Sequence, residues 1–230
     1  MHATVLIPAY NTARHLPRCL DSILAQDYSS FDVLVISDGS TDETVAVAEQ
    51  YALRDPRISL LALPINQGAA GATAIGITHA RGEVITVVDS DDVLMPHALA
   101  TVVPPFVANA RLGFLWTRFM TDGGRMGWSG PLPAGETLFS ALMGSWWRAS
   151  HQRTIRKSTY MASMRLTPAI RISSDYQLAL VMASTGCDTL FMDKITYKYT
   201  VRRPGSITGD GPAKQKAATV EARAYVAAHL

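Results

Sequence analysis

Residues Asp32–Glu43 read Asp-Val-Leu-Val-Ile-Ser-Asp-Gly-Ser-Thr-Asp-Glu. The first six form a nearly unbroken apolar run. It is short enough for a strand and apolar enough for burial on both faces. Ser40, with Glu43 three residues later, has the pattern of a capping box. The helix it opens would turn Val45, Ala48 and Ala52 inward. Buried strand, glycine-bearing polar turn and helix together make half of a βαβ unit.

The same alternation extends to both sides. Thr4–Ile7 is a β-branched run ended by Pro8, followed by Leu16, Leu20, Ile23 and Leu24 at helical spacing, with Asn11 or Thr12 as N-cap. Ile58–Leu63 is a third strand and Ala69–Ala80 a third helix. Glu83–Val88 is a fourth strand, and Pro96 fits the first turn of a helix running to about Asn109. Strand and helix at this pitch predict an α/β fold with a mostly parallel sheet flanked by helices and right-handed crossovers. In such a sheet the strand C-termini share one edge, where ligands bind. Tyr10-Asn11, Asp38-Gly39-Ser40 and Asp89-Ser90-Asp91-Asp92 fall on that edge.

The third helix carries Gly68, Ala69, Ala70, Gly71, Ala72, Ala74 and Gly76. Glycine inside a helix costs ~1 kcal/mol against alanine, so close approach to the sheet or to a ligand should offset it. The second half is less regular. Strands are expected over Leu112–Met120, Gln152–Arg156, Thr189–Met192 and Ile195–Val201. Helices are expected over Glu136–Trp147 and Ser174–Ser184, and again over Pro212–Leu230. Thr121–Gly135, rich in Gly and Pro around Trp128, reads as a long loop of the kind that often binds ligands.

Composition bounds these readings. The 230 residues are 48% hydrophobic and 17% charged, which excludes a disordered chain. Val84–Val88 and Ala98–Val103, the longest apolar stretches, fall far short of the ~20 residues that span a bilayer. A net charge of +2 is too weak for a nucleic-acid footprint. Cys19 and Cys187 sit in apolar periodic segments and read as reduced core thiols. Met1-His2-Ala3 runs straight into a strand with no signal-peptide pattern, so a cytoplasmic protein is expected. At ~150 residues per domain, one continuous domain over 1–230 is the simplest division.

Asp89-Ser90-Asp91-Asp92 carries the strongest chemical signal. Carboxylates crowded behind a buried strand repel one another unless a cation or hydrogen-bond donors neutralise them. Alternate carboxylates there suit Mn²⁺ or Mg²⁺ shared with a substrate diphosphate. Capping of the next helix by Asp92 is the plain alternative. Asp38 is placed to accept hydrogen bonds from a nucleobase edge, and Tyr10 offers a ring for stacking or a core-edge aromatic.

Val5-Leu6-Ile7-Pro8-Ala9-Tyr10-Asn11, Asp38-Gly39-Ser40-Thr41-Asp42, Asn66-Gln67-Gly68 and Asp89-Ser90-Asp91-Asp92, in that order, resemble the motifs of family 2 glycosyltransferases over residues about 3–110. The resemblance implies the GT-A fold, a Rossmann-like α/β architecture, and a nucleotide-diphosphate sugar donor, UDP favoured, with a divalent metal. It implies that Pro8, Ala9, Tyr10 and Asn11 line the nucleotide and that Asp38 meets the base. Asp89, with Ser90, would approach the ribose, Asp91 would ligate the metal, and Gly68 would lie beside the donor. Ser173-Ser174-Asp175-Tyr176-Gln177-Leu178 is similar to the family's Glu-Asp-Tyr-x-Leu segment. Asp175 would be the general base, with Ser174 standing where glutamate is common. Arg202 and Arg203 resemble the loop that closes on the diphosphate. The implied reaction is inverting transfer to an acceptor hydroxyl of a glycan, a lipid-linked sugar or a small natural product.

Residues about 1–110 would then form the nucleotide and metal half, and about 111–230 the acceptor half with a helical tail. Trp128, Trp146 or Trp147 could stack on an acceptor sugar, and His151 and Arg153 could contact acceptor or phosphate. A non-catalytic nucleotide-sugar-binding homologue stays open, as does a sugar nucleotidyltransferase, although the latter's Gly-rich basic loop after the first strand is not seen. Gly68, Gly71 and Gly76 miss the dinucleotide spacing, and there is no P-loop. A homodimer and peripheral attachment at an inner membrane face also stay open.

Overall fold

In the computed structural model, eight strands form one sheet in the order β3-β2-β1-β4-β7-β6-β8-β5. The structure describes residues 1–144, 148–163, 174–201 and 212–229. β1 (Ala3–Ala9), β2 (Phe31–Asp38), β3 (Ile58–Leu63) and β4 (Val84–Val87) pair in parallel around β1. β7 (Arg153–Arg156) pairs antiparallel with β4 and with β6 (Leu112–Thr121). β8 (Asp188–Tyr199) runs parallel to β6, and the short β5 (Val93–Leu94) pairs antiparallel with β8.

Period-2 alternation splits the buried side chains of β1, β2 and β4 between two cores, one on each face of the sheet. Leu6, Leu34, Ile36, Ile85 and Val87 face α3 (Gly68–His79), α6 (Leu138–Met143), α7 (Lys157–Met161), α8 (Ser174–Ser184) and α9 (Pro212–His229). Val5, Ile7, Val33, Val35 and Val84 face α1 (Leu16–Leu24), α2 (Thr44–Arg54), α4 (Ala98–Val102) and α5 (Pro104–Ala108). A mostly parallel α/β sheet covered on both faces is the expected architecture.

The small residues of α3 serve close packing. A Cβ added at Gly76 would stand 2.3 Å from Leu6 Cδ1 and 3.0 Å from Ile36 Cγ1. The helix lies almost on the sheet, which offsets the helical cost of glycine.

Several local expectations are corrected. The expected helix over 96–109 is two short ones, because Pro104 lacks the N–H that would continue α4. The two strands expected over 189–201 are one, β8. Its pairing with β6 steps from Met192 to Ile195, so the polar Asp193-Lys194 is a bulge within one strand. α1 is N-capped by His15 rather than Asn11 or Thr12. Ser40 and Glu43 do not form a capping box, since α2 begins at Thr44 with Glu43 at its N-cap and no side-chain cap. Their loop is held across the fold instead, by Asn11 of the loop after β1. α6 is shorter than expected and is opened by Thr137 and Ser140 as a capping box. β5 and α7 have no counterpart among the sequence expectations. α8 and the start of α9 match them.

Candidate active site

The strand order reverses between β1 and β4, with β2 and β3 on one side and β4 on the other. Such a switch point opens a crevice at the strand C-termini. The loops after β1, β2 and β3 line it and are tied together by polar side chains. Asn11 holds a positive φ of 50°. Its N–H donates to Ser40 Oγ at 3.2 Å, and its Oδ1 accepts from Thr41 N–H at 2.8 Å. Asp42 accepts from Ala13 N–H and Thr44 N–H, each at 3.0 Å. Asp38 is 3% exposed, and its Oδ1 accepts from Gln67 N–H at 2.6 Å. Gly39, at φ 66°, lets this loop approach the chain so closely that a Cβ would stand 2.6 Å from Asn66 N. Asn11, Asp38, Ser40 and Asp42 therefore build a rigid rim. Pro8, Ala9, half-exposed Tyr10 and Gly68 at the head of α3 lie along it.

After β4, the Asp89–Asp92 turn is fastened from β8 and α1. Asp92 is fully buried. Its Oδ2 accepts from the Tyr197 hydroxyl at 2.8 Å and its Oδ1 from Thr200 N–H at 2.7 Å. The Tyr197 oxygen accepts in turn from Asp89 N–H at 3.0 Å. The Asp91 carbonyl accepts from Arg18 Nη2 at 2.9 Å and Thr200 Oγ1 at 2.7 Å. The Ser90 side chain is buried within the turn. Burial, then repulsion from Asp89 and Asp91, pushes the Asp92 carboxyl well above the usual carboxylate range. Burial likewise pushes the Tyr197 phenol well up.

The second half of the chain enters this turn through β7. Val87 of β4 lies opposite Arg153, so Arg153 and His151 come to the β4 C-terminus. Arg153 Nη2 donates to Asp89 Oδ1 at 2.8 Å, and His151 Nε2 lies 3.3 Å from Asp89 Oδ2. His151 is packed among the rings of Tyr197, Phe119 and Tyr199, with centroids 4.7, 5.0 and 5.3 Å away. Burial alone would raise the Asp89 carboxyl, but Arg153 and His151 hold it well below the usual range. Burial would lower the Arg153 guanidinium, but Asp89 first and Asp175 next hold it far up. Asp175, in the first turn of α8, is thus an electrostatic neighbour of the same cluster. Its Oδ1 accepts from Tyr176 N–H at 2.8 Å.

The structure therefore brings together Asp89, Asp91, Asp92, His151 and Arg153, with Asp175 within electrostatic reach of Arg153. It places His151 and Arg153 deep against Asp89, with side chains 7% and 4% exposed. Trp128 stands apart on the surface, 83% exposed. Arg202, Arg203, Trp146 and Trp147 lie outside the described residues. Arg18, Tyr197 and Thr200 belong to the site but escaped the sequence reading. Nothing local marks them, since each is joined to Asp89–Asp92 only through long-range contacts.

One ligand atom each from Asp89, Asp92 and His151 lie within 4.8 Å of one another. Asp91 is not in that group. Two carboxylates and one imidazole are donors of the kind that hold a divalent cation, and such an ion would relieve the part of the Asp92 shift that comes from Asp89 and Asp91.

The sequence profile of Glycosyl transferase family 2 matches residues 4–169. The chain belongs to this family. The glycosyltransferase GlyG of Streptococcus pneumoniae is 36% identical over 99 residues, which are 43% of this chain and 33% of that protein. The Pasteurella multocida chondroitin synthase is 29% identical over 188 residues, 80% of this chain and 19% of that protein. The family-2 chain thus spans a third or less of these two relatives. The fold is shared with Staphylococcus aureus TarS 1–349 in complex with UDP-GlcNAc, at a TM-score of 0.69 and 20% identity. That match covers 92% of this chain and 61% of TarS 1–349. The GT-A expectation holds. No helix among the described residues is long and apolar enough to cross a membrane.

Proposed function

We propose that this family-2 chain transfers a sugar, with inversion, from a nucleotide-diphosphate donor to an acceptor hydroxyl. The observation that carries the reading is the convergence on Asp89–Asp92 of β4, β7, β8 and α1, with Asp175 close enough to act on Arg153. A UDP-sugar is the favoured donor, supported by the fold shared with a protein that binds UDP-GlcNAc.

In this reading the nucleotide lies along the rim from Pro8 to Asn11, past Asp38 and Gly68, with Asp89 and Ser90 toward the ribose. Asp91 would hold Mn²⁺ or Mg²⁺ beside the Asp89, Asp92 and His151 donors, and such an ion supplies Lewis-acid stabilisation of the leaving diphosphate. The acceptor oxygen attacks the anomeric carbon as the bond to the diphosphate breaks. Asp175 accepts the hydroxyl proton in the same step. Arg153 keeps Asp89 ionised and oriented, which is positioning rather than chemistry. Arg202 and Arg203 would meet the leaving phosphates.

The test is calorimetric binding of UDP-sugars with and without Mn²⁺, alongside UDP release in the presence of acceptors. Asp91→Ala should abolish metal-dependent binding, and Asp175→Asn should keep binding and lose transfer. Wild-type turnover in Asp175→Asn would remove the base from the mechanism. Unchanged binding in Asp91→Ala would remove Asp91 from the metal site and leave the Asp89, Asp92 and His151 donors as its holders. Pyrophosphate release would convert the reading to a nucleotidyltransferase, and donor binding without turnover to a non-catalytic homologue.

A further inference from the structure

We propose that the pocket beside Trp128 is a subsite for a carboxylate-bearing sugar of the acceptor, an inference that rests on the transferase reading above. The pocket measures about 280 Å³ and is lined by Arg118, Met126, Gly127, Trp128, Ser129 and Arg148. Ligand sites usually run from ~300 Å³ upward, so this one suits a single sugar ring.

Its lining combines two kinds of group. Trp128 and Met126 are 83% and 50% exposed, so an indole face and a thioether among the lining residues stand open to a ligand. An indole face suits the C–H face of a pyranose. The rim is cationic, and no acidic side chain lines the pocket among the described residues. Arg118 is already committed, since it pairs with Asp193 and donates from Nη1 to the Ser129 carbonyl at 3.1 Å. The Arg148 guanidinium has no hydrogen-bond or ion-pair partner among the described residues. Its stem lies over Gly130, where an added Cβ would stand 3.5 Å from Cδ. A planar guanidinium without a partner, beside an exposed indole, is a donor pair for a carboxylate on a ring. A free phosphate would use the arginine and gain nothing from the indole.

The place fits an acceptor. Ser129, 3% exposed, lies within hydrogen-bond distance of the Arg148 carbonyl at 2.9 Å and the His151 carbonyl at 3.5 Å. His151 in turn touches Asp89. The pocket is therefore joined by one short segment to the donor carboxylates, on the side of the second half of the chain.

The experiment titrates the protein with a glucuronate-terminated oligosaccharide, its carboxyl-reduced counterpart and inorganic phosphate, read by NMR. UDP binding is measured in parallel on the same samples. The uronate form should bind about tenfold more tightly than the reduced form. Arg148→Ala should erase that difference, Trp128→Ala should weaken both saccharides, and UDP affinity should stay unchanged in both variants. Equal affinity for the two saccharides, binding of neither, or inorganic phosphate binding with the same Trp128 dependence overturns the subsite. In those cases retained UDP binding leaves the transferase reading standing, whereas wild-type protein that binds no nucleotide overturns that reading itself.

Discussion

Arg153 Nη2 lies 2.8 Å from Asp89 Oδ1, although 64 residues separate them in the chain. The Arg153 side chain is 4% exposed and that of Asp89 40%. A charge on the buried side thus meets one that still faces the cleft. Removing one member of a fully buried pair costs ~3–5 kcal/mol, and the half-open position of Asp89 reduces this. Arg153→Leu should therefore destabilise the protein by about 2 kcal/mol on that scale. It should also weaken UDP binding, because Asp89 loses the partner that orients it. Urea midpoints and calorimetry check both. A variant with wild-type midpoint and wild-type UDP affinity would show that the pair is incidental.

The packing of α3 on β1 makes an opposite-sign prediction for a change that helix propensity favours. In an exposed helix interior, Gly→Ala gains ~1 kcal/mol. At Gly76 the new methyl meets Leu6 Cδ1 at 2.3 Å in a fully buried layer. Overpacking of a filled core costs ~1–3 kcal/mol, so the clash outweighs the propensity. Gly76→Ala should lower stability by a net amount on the order of 1 kcal/mol. Thermal unfolding of the variant decides, and a raised midpoint would mean that α3 can lift off the sheet without penalty.

Acid should weaken the fold through Asp55. Arg57 grips this carboxylate with Nε at 3.0 Å and Nη2 at 2.7 Å, and its backbone N–H adds a third bond at 2.9 Å. These bonds hold Asp55 below the ordinary aspartate value of 3.8. A depressed carboxyl contributes stability that is full above its unfolded pKa and is lost as pH falls through the folded one. Asp55→Asn should thus be less stable than wild type near neutral pH, by less than about 1 kcal/mol for a partly exposed pair. The difference should close as pH falls from above the ordinary aspartate value of 3.8 to well below it. Urea midpoints across that range measure it, and a gap that persists at the acid end would contradict the assignment.

How much of this was legible beforehand depends on the range of the cause. β1 to β4, the Asp89–Asp92 turn and α8 were readable because apolar periodicity and turn chemistry act within a few residues. The capping reading of Ser40 and Glu43 failed for an equally physical reason. Ser40 is engaged with Asn11, 29 residues away, and that bond outcompeted the local pattern. Asp193-Lys194 separates two strands in the sequence pattern because polarity is local, whereas the pairing that makes it a bulge within one strand comes from β6. Tyr197 alternates with its neighbours like any strand residue. Only the approach of β8 to the β4 turn puts its hydroxyl between Asp89 and Asp92.

By itself the sequence determined the α/β alternation, the sheet edge where the polar turns gather, and the carboxylates that occupy it. Burial on both faces and the polar punctuation after each strand favour strand–helix alternation there. The tertiary structure decided which charges neutralise which. The antiparallel insertion of β7 beside β4 brings His151 and Arg153 to Asp89, and the arrival of β8 seals Asp92 away from water. Those pairings close loops of 62 to 108 residues, and no local pattern encodes where such a loop will close.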